Sequence, residues 1–395
     1  MSSESLYQRR REVLRGRGVG IVEAATPSTG VLFALGEVMV DPSLSDDVRR
    51  RLPAHFVPAE AHRATDAAIA PRCFRSEQAG ETETYDRVCA LREEHGPAVT
   101  LHHLFSLEPS YAGGPFGLPQ PVAPGLLASV AGPLARPGRV GLLDSGVRRD
   151  SEGMALMGNL ALAPDADADP TDADGDGLCD IDAGHGTFIA GILSRRAPGV
   201  SLVARRVLDA RGLVDELALA AAIRAMGSAS LDVLNLSLGG YTMDNQEPAQ
   251  LTAALRSLPP RTVVVAAAGN GMTPDRPFWP AASKLPQVVA VGSLQATGGA
   301  PSGFTNSGSW VDACARGEGL VSSFLEFDGI LQADPTKQPN DFDGAAQWSG
   351  TSFAAPTVAG AILAEMSTRG VPALTAANEL MARGRAVPGL GHEVS

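Results

Sequence analysis

Arg139-Val140-Gly141-Leu142-Leu143-Asp144-Ser145-Gly146 sets an apolar run directly before a carboxylate and a turn. A run this short, closed by Ser-Gly, reads as a buried strand. Working outward, Gly186 to Arg195 reads as a helix, Ser201 to Val207 as a strand and Val214 to Met226 as an Ala/Leu-rich helix. Asp232 to Leu236, Thr262 to Ala268 and Gln287 to Val291 are further apolar runs of strand length. Strands alternating with helices imply an α/β fold, a parallel sheet with helices on both faces. Such sheets carry their sites at the carboxyl ends of strands, so chemistry is expected just after each apolar run.

Upstream the pattern differs. Val19 to Ala25 and Val31 to Val40 are strand-like, joined by the turn Thr26-Pro27-Ser28-Thr29-Gly30. Ser43 to Leu52 reads as a short helix, Glu81 to Glu94 as a charged helix and Ala98 to Phe105 as a strand. From Glu108 to Pro137 the chain is crowded with Pro and Gly, as in Gly113-Gly114-Pro115 and Pro119-Gln120-Pro121, which marks a linker. The expected organisation is a small α+β N-terminal domain over 1–107, a linker over 108–137 and the parallel-sheet domain over 138–395.

Composition narrows the function. The 395 residues are enough for one large domain and a smaller one, and the 44% hydrophobic content supplies a core. A net charge of -12 argues against a nucleic-acid partner. The four cysteines, Cys73, Cys89, Cys179 and Cys314, lie far apart and suit a reducing compartment rather than a disulfide framework. Arg9-Arg10-Arg11 has no apolar stretch behind it, and no run reaches the ~18 apolar residues of a membrane span. A cytoplasmic protein with no membrane partner is the expectation.

Four residues stand where chemistry is expected. Asp144 ends the first strand, placed to orient a histidine, although Asp before Ser-Gly is equally a turn residue. His185 sits in Gly184-His185-Gly186-Thr187 directly before a helical run, and its flanking glycines permit close approach. Asn270, in Gly269-Asn270-Gly271, follows the strand Val263 to Ala268 and can donate to an oxyanion; Asn-Gly alone is also a tight turn. Ser352 in Gly350-Thr351-Ser352-Phe353-Ala354-Ala355-Pro356 opens a helix, as a nucleophile or as an N-cap. His102-His103, at the end of an N-terminal strand, read as a half-exposed strand end rather than metal ligands; His55, His62, His95 and His392 have no local signature.

Together with Asp232 to Gly240, these segments resemble the subtilisin-like serine proteases, or subtilases, over about 139–369. The order Asp, His, Ser along the chain is that of subtilisin. The resemblance implies the subtilisin-like parallel sheet and a peptide hydrolase. It makes Ser352 the nucleophile, His185 its base and acid, and Asp144 the partner fixing the histidine tautomer. Asn270 and the Ser352 N–H would hold the oxyanion. Leu236-Ser237-Leu238-Gly239-Gly240 would pair with an extended peptide or protein substrate and form one wall of its first specificity pocket. Ala267-Ala268-Gly269 would form the other, leaving room for an apolar or aromatic side chain.

This chain departs from the family pattern at Phe188 and Thr357, where histidine is frequent, at Phe353, where methionine is usual, and at Arg316-Gly317, which replaces Pro-Gly. None is a triad position. Two other functions fit the same residues: a peptide-maturation acyl transferase or cyclase, which shares the acyl-enzyme, and a catalytically silent binding protein, which would have no need of all four side chains.

Between Asp144 and His185 lies an acidic insertion. Asp172-Ala173-Asp174-Gly175-Asp176-Gly177-Leu178-Cys179-Asp180 matches the first nine positions of an EF-hand-type loop, so Asp172, Asp174, Asp176 and Asp180 are candidate Ca²⁺ ligands. Ala183 stands where the bidentate Glu belongs, and a solvated acidic loop is the other reading. No cofactor is needed for the chemistry itself. The N-terminal domain stands where many relatives carry a propeptide, and intramolecular inhibition of the cleft is its expected role, with docking or targeting as the rival.

Overall fold

Strands that are apolar at every position need cover on both faces. In the computed structural model, which describes residues 14–16, 18–22, 30–59, 71–107, 117–332 and 338–394, they have it. Arg9-Arg10-Arg11, the turn residues Thr26 to Thr29, His62 and Gly113-Gly114-Pro115 lie outside the described residues.

Up to residue 107 the elements are β1 (Val19–Val22), β2 (Val31–Val40), α1 (Ser45–Arg51), β3 (Val57–Pro58), β4 (Arg72–Arg75), α2 (Glu81–His95) and β5 (Val99–Ser106). Then follow β6 (Gln120–Pro121), β7 (Arg139–Asp144), α3 (Ser151–Met157), β8 (Ala161–Leu162), α4 (His185–Arg196), β9 (Ser201–Arg206), β10 (Leu213–Asp215) and α5 (Glu216–Met226). The rest are β11 (Val233–Leu236), α6 (Ala249–Ser257), β12 (Val263–Ala267), β13 (Val288–Leu294), β14 (Ala313–Arg316), β15 (Leu320–Ile330), β16 (Pro339–Trp348), α7 (Thr351–Arg369), α8 (Ala373–Arg383), β17 (Ala386–Val387) and β18 (Gly391–Glu393).

The main sheet runs β17-β18-β14-β13-β12-β11-β7-β9-β8, parallel throughout except for β17. Side chains alternate faces along each strand. Val140, Leu142, Val263 and Val265 pack with Phe188, Leu193, Phe353 and Val358 of α4 and α7. Leu143, Val264 and Ala266 pack with Leu219, Ile223, Leu251 and Leu255 of α5 and α6. Each Val, Leu, Ile or Phe among them contributes about 1.5–3 kcal/mol by leaving water. The sheet is therefore the rigid frame on which the strand ends are held.

The N-terminal sheet is antiparallel, in the order β10-β5-β2-β4-β3 with β1 also on β2, and α2 covers it through Val88 and Leu91. Its edge strand β10 comes from the second unit, pairing Leu213 with Ser106 and Val214 with Phe105. The helix expected from Val214 accordingly starts at Glu216. Asp215 caps it, accepting from the Ala218 N–H at 2.9 Å, and the residues before the cap serve the sheet instead. Within the Pro/Gly-rich stretch, Gln120–Pro121 adds a third strand to the hairpin β15–β16. Among the described residues no helix is long and apolar enough to cross a membrane.

Candidate active site

β7 delivers Asp144 to the carboxyl edge of the sheet, fully buried. Gly146 turns the chain there with φ +109°, and α4 begins against that turn. A Cβ on Gly186 would stand 2.0 Å from the Gly146 carbonyl oxygen, so only glycine lets the helix come this close. His185, first residue of α4, thereby places Nδ1 at 2.8 Å from Asp144 Oδ1, an oxygen that also accepts from the Ser145 N–H at 2.8 Å. Asp144 Oδ2 is buried with no partner among the described residues.

Aromatic side chains wall the imidazole. Trp348 meets it at a ring-centre distance of 5.5 Å and 90°, and Phe353 at 5.2 Å and 43°. Phe353 in turn stacks on Phe188 at 4.4 Å. Two of the departures from the family pattern are thus one packed pair behind the histidine.

Ser352 is the second residue of α7, where the helix dipole favours developing negative charge. Its hydroxyl donates to the Ser237 carbonyl at 3.1 Å. Thr351 before it donates both N–H and Oγ–H to Asn270 Oδ1, each at 2.9 Å, and Thr351 Oγ1 accepts from the Gly269 N–H at 3.1 Å. These bonds fix the Asn270 amide with its oxygen on the helix, so its nitrogen points the other way. Leu107, His185, Asn270, Ser352 and Phe353 line one small cleft. All four residues singled out by sequence therefore meet in one place.

Ser237, Leu238 and Gly239 follow β11, and Ala267 ends β12 with Ala268 and Gly269 after it, all buried. A Cβ on Gly239 would lie 2.3 Å from the Phe278 ring and 2.5 Å from the Trp279 carbonyl oxygen. Gly239 and Ser106 exchange backbone hydrogen bonds of 2.9 and 2.8 Å, so the end of β5 occupies the segment expected to hold substrate. Leu107, the next residue, lines the cleft itself.

The acidic insertion divides in two. Asp165 pairs with Arg205, and Asp167 accepts from the Arg206 N–H at 2.9 Å. Asp169 turns inward and accepts from the N–H groups of Gly184 (3.2 Å) and Thr187 (3.3 Å) and from the Thr187 hydroxyl (2.6 Å). Burial pushes its carboxyl up to about 6 against the pull of those donors, and the Asp144 charge adds to the rise. Asp182 is raised well above the ordinary range by burial and by Asp169 and Asp144. Sequence reasoning missed both as site residues; the signals available were the place of Asp182 just before Gly184-His185 and that of Asp169 in the alternating run Asp165-Ala166-Asp167-Ala168-Asp169.

Of the four candidate Ca²⁺ ligands, Asp172, Asp174 and Asp176 hold carboxylate oxygens within 4.8 Å of one another. Asp180 stands apart from that trio. Its Oδ2 accepts from the Ala173 N–H at 3.0 Å, its Oδ1 is buried without a partner among the described residues, and burial lifts it to about 6. His102 and His103, expected at a half-exposed strand end, are both buried, because the second unit packs over that end of β5. His102 Nε2 lies 3.3 Å from Asp215 and His103 Nδ1 lies 3.5 Å from Glu216.

The chain is similar to known proteins over this region. It is 32% identical to mycosin-4 of Mycobacterium tuberculosis over 51% of this chain and 51% of that protein, so it spans about half the length of that relative. It is 29% identical to subtilisin E of Bacillus subtilis over 70% of this chain and 68% of that protein. A lanthipeptide protease of known structure shares the fold, with TM-score 0.52 and 22% identity over 65% of this chain and 85% of that one. The sequence pattern of the Subtilase family matches residues 138–379, more than half of the chain, and the protein belongs to that family of serine proteases.

Proposed function

We propose that the chain is a serine endopeptidase working through an Asp144–His185–Ser352 triad. The observation that carries this is the 2.8 Å Asp144–His185 pair, buried and opening on the same cleft as Ser352 and Asn270. With Nδ1–H held by Asp144, the other ring nitrogen is the basic one and takes the Ser352 proton as Oγ attacks a peptide carbonyl. The hydroxyl now on the Ser237 carbonyl turns to the ring for that step. The imidazolium then protonates the leaving amine, and water resolves the acyl-enzyme. Asn270, steered by Thr351, and the Ser352 N–H stabilise the oxyanion. Trp348 and Phe353 keep bulk water from the imidazole face.

The N-terminal unit restrains this site in our reading. Ser106 pairs with Gly239 as an extended peptide would, and Leu107 lines the cleft beside His185 and Ser352. The unit is held on by β5–β10 pairing and by the Arg92–Asp244 ion pair at 2.5 Å. Substrate must displace the end of β5.

Ca²⁺ fits Asp172, Asp174 and Asp176 by donor type. Asp172 already accepts from the N–H groups of Gly175 (2.7 Å) and Gly177 (2.9 Å), folding the loop around its carboxylates. A bound cation would order the loop that leads to His185. Calorimetry on wild type and Asp174→Ala/Asp176→Ala tests it; equal, negligible heats remove the site.

A serine-directed fluorophosphonate tests the nucleophile. Intact mass should show one adduct on the full chain and none on Ser352→Ala, and failure to label after cleft opening by Leu107→Ala ends the proposal. Product masses from a model peptide then separate hydrolysis, which adds a water, from aminolysis.

A further inference from the structure

Away from the cleft, Glu37 on β2, Cys73 on β4 and His102 on β5 converge from neighbouring strands of the N-terminal sheet. His102 Nδ1 lies 2.6 Å and Cys73 Sγ 3.5 Å from Glu37 Oε2, and the three ligand atoms fall within 4.8 Å of one another. All three residues are buried, at 6%, 8% and 4% exposure. Leu217 of α5 packs on Cys73 and Met39, so the second unit closes the cluster. On the far side of the ring, Nε2 lies 3.3 Å from Asp215 Oδ1.

A thiol, an imidazole and a carboxylate meeting at one point are a zinc donor set. Bond lengths of about 2.3 Å to sulfur and 2.0–2.2 Å to nitrogen or oxygen separate tetrahedral ligand atoms by roughly 3.3–3.6 Å. Sγ and Oε2 already stand at that spacing, and Nδ1 and Oε2 need to part by less than about 1 Å. A carboxylate on the far ring nitrogen is the usual partner of a metal-bound histidine, and Asp215 supplies it. Arg75 Nε donates to Glu37 Oε1 at 2.7 Å, which leaves Oε2 facing the ring and the thiol. Zinc, thiolate, the two carboxylates and the guanidinium balance in charge, as a buried cluster requires.

We propose that Glu37, Cys73 and His102 bind a zinc ion, oriented through Asp215, at the seam between the N-terminal sheet and the protease unit. Binding displaces the proton between Nδ1 and Oε2 and the thiol proton, both released to solvent.

The test uses the full chain carrying Ser352→Ala, so that its outcome is independent of proteolysis. The protein is stripped with a chelator, placed in excess Ca²⁺ to occupy the acidic loop, and titrated with Co²⁺ and then Zn²⁺. One equivalent of Co²⁺ should raise a thiolate-to-cobalt charge-transfer band that Zn²⁺ abolishes. Cys73→Ser should lose the band, Cys179→Ser, beside the acidic loop, should keep it, and Asp215→Asn should weaken binding about 10–100-fold. Absence of the band in the parent, or its survival in a folded Cys73→Ser chain, overturns the site.

Discussion

Ser237 and Ser352 bind each other twice: the Ser237 hydroxyl donates to the Ser352 carbonyl at 2.7 Å, and the Ser352 hydroxyl donates to the Ser237 carbonyl at 3.1 Å. The first bond has a covalent cause. In a helix the Ser352 carbonyl would accept from the residue four positions on, which is Pro356 and has no N–H. Ser237, held by Asn235 Nδ2 at 2.9 Å, replaces that donor. Ser237→Ala should therefore cost about 1–3 kcal/mol in urea unfolding, because a buried carbonyl is left unmet. Adding Pro356→Ala restores a donor and should recover about 1 kcal/mol of it. A double variant no more stable than Ser237→Ala would refute this account.

In the proposed mechanism Asn270 holds two jobs, oxyanion donor and acceptor for Thr351, that substitution separates. Asn270→Ala removes the oxyanion donor and the acceptor for Thr351, and kcat should fall about 10²–10³-fold, the size of the effect in subtilisin. Thr351→Val leaves the amide present but loses the Oγ1 bonds that aim it. A smaller fall, about tenfold, is expected with KM little changed. If Thr351→Val matches wild type, the amide is aimed by something else.

Ser106 and Gly239 pair across the seam, with Leu107 beyond them lining the cleft. Truncating a buried leucine costs about 2 kcal/mol or more, roughly 30-fold in a closed-to-open ratio. Leu107→Ala should raise turnover of a short peptide ester by the full chain by about that factor, without a change in intact mass. Unchanged activity would mean that the end of β5 does not restrain the site.

The residues next to each apolar run were legible because strand ends, glycines and helix starts are local signals. Asp144, His185, Asn270 and Ser352 each lie within a few residues of such a signal. What escaped depends on distant partners. β10 reads as the start of a helix until β5 is beside it, and His102 and His103 look half-exposed until that same contact buries them. The work of Ser237 needs Pro356, which is far along the chain. Trp348 arrives at His185 on a hairpin whose register no local pattern states.

Phe188 and Phe353 were departures by sequence and are partners in space at 4.4 Å. Phe188→His alone should desolvate an imidazole against aromatic rings, and Phe353→Met alone should lose a stacked ring. The double variant should cost less than the sum of the two, with a coupling of about 0.5–1.5 kcal/mol. Additive losses in chemical denaturation would mean that the pair is adjacent without being coupled.

Asp169 ties the acidic insertion to the helix of His185, and its folded carboxyl titrates at about 6 against an ordinary 3.8. A carboxyl raised on folding stabilises the protein fully below the unfolded value and loses that contribution as pH rises through the folded one. Stability should therefore decline between about pH 4 and pH 6, as Asp169 ionises in a buried setting shared with Asp144 and Asp182. Asp169→Asn cannot ionise, so whatever its absolute stability, its unfolding midpoint should vary less across that window. Urea titrations at half-unit pH steps in chelator read the slope directly. Equal slopes in the two proteins would assign the decline to other groups and leave Asp169 ionised at neutral pH without cost.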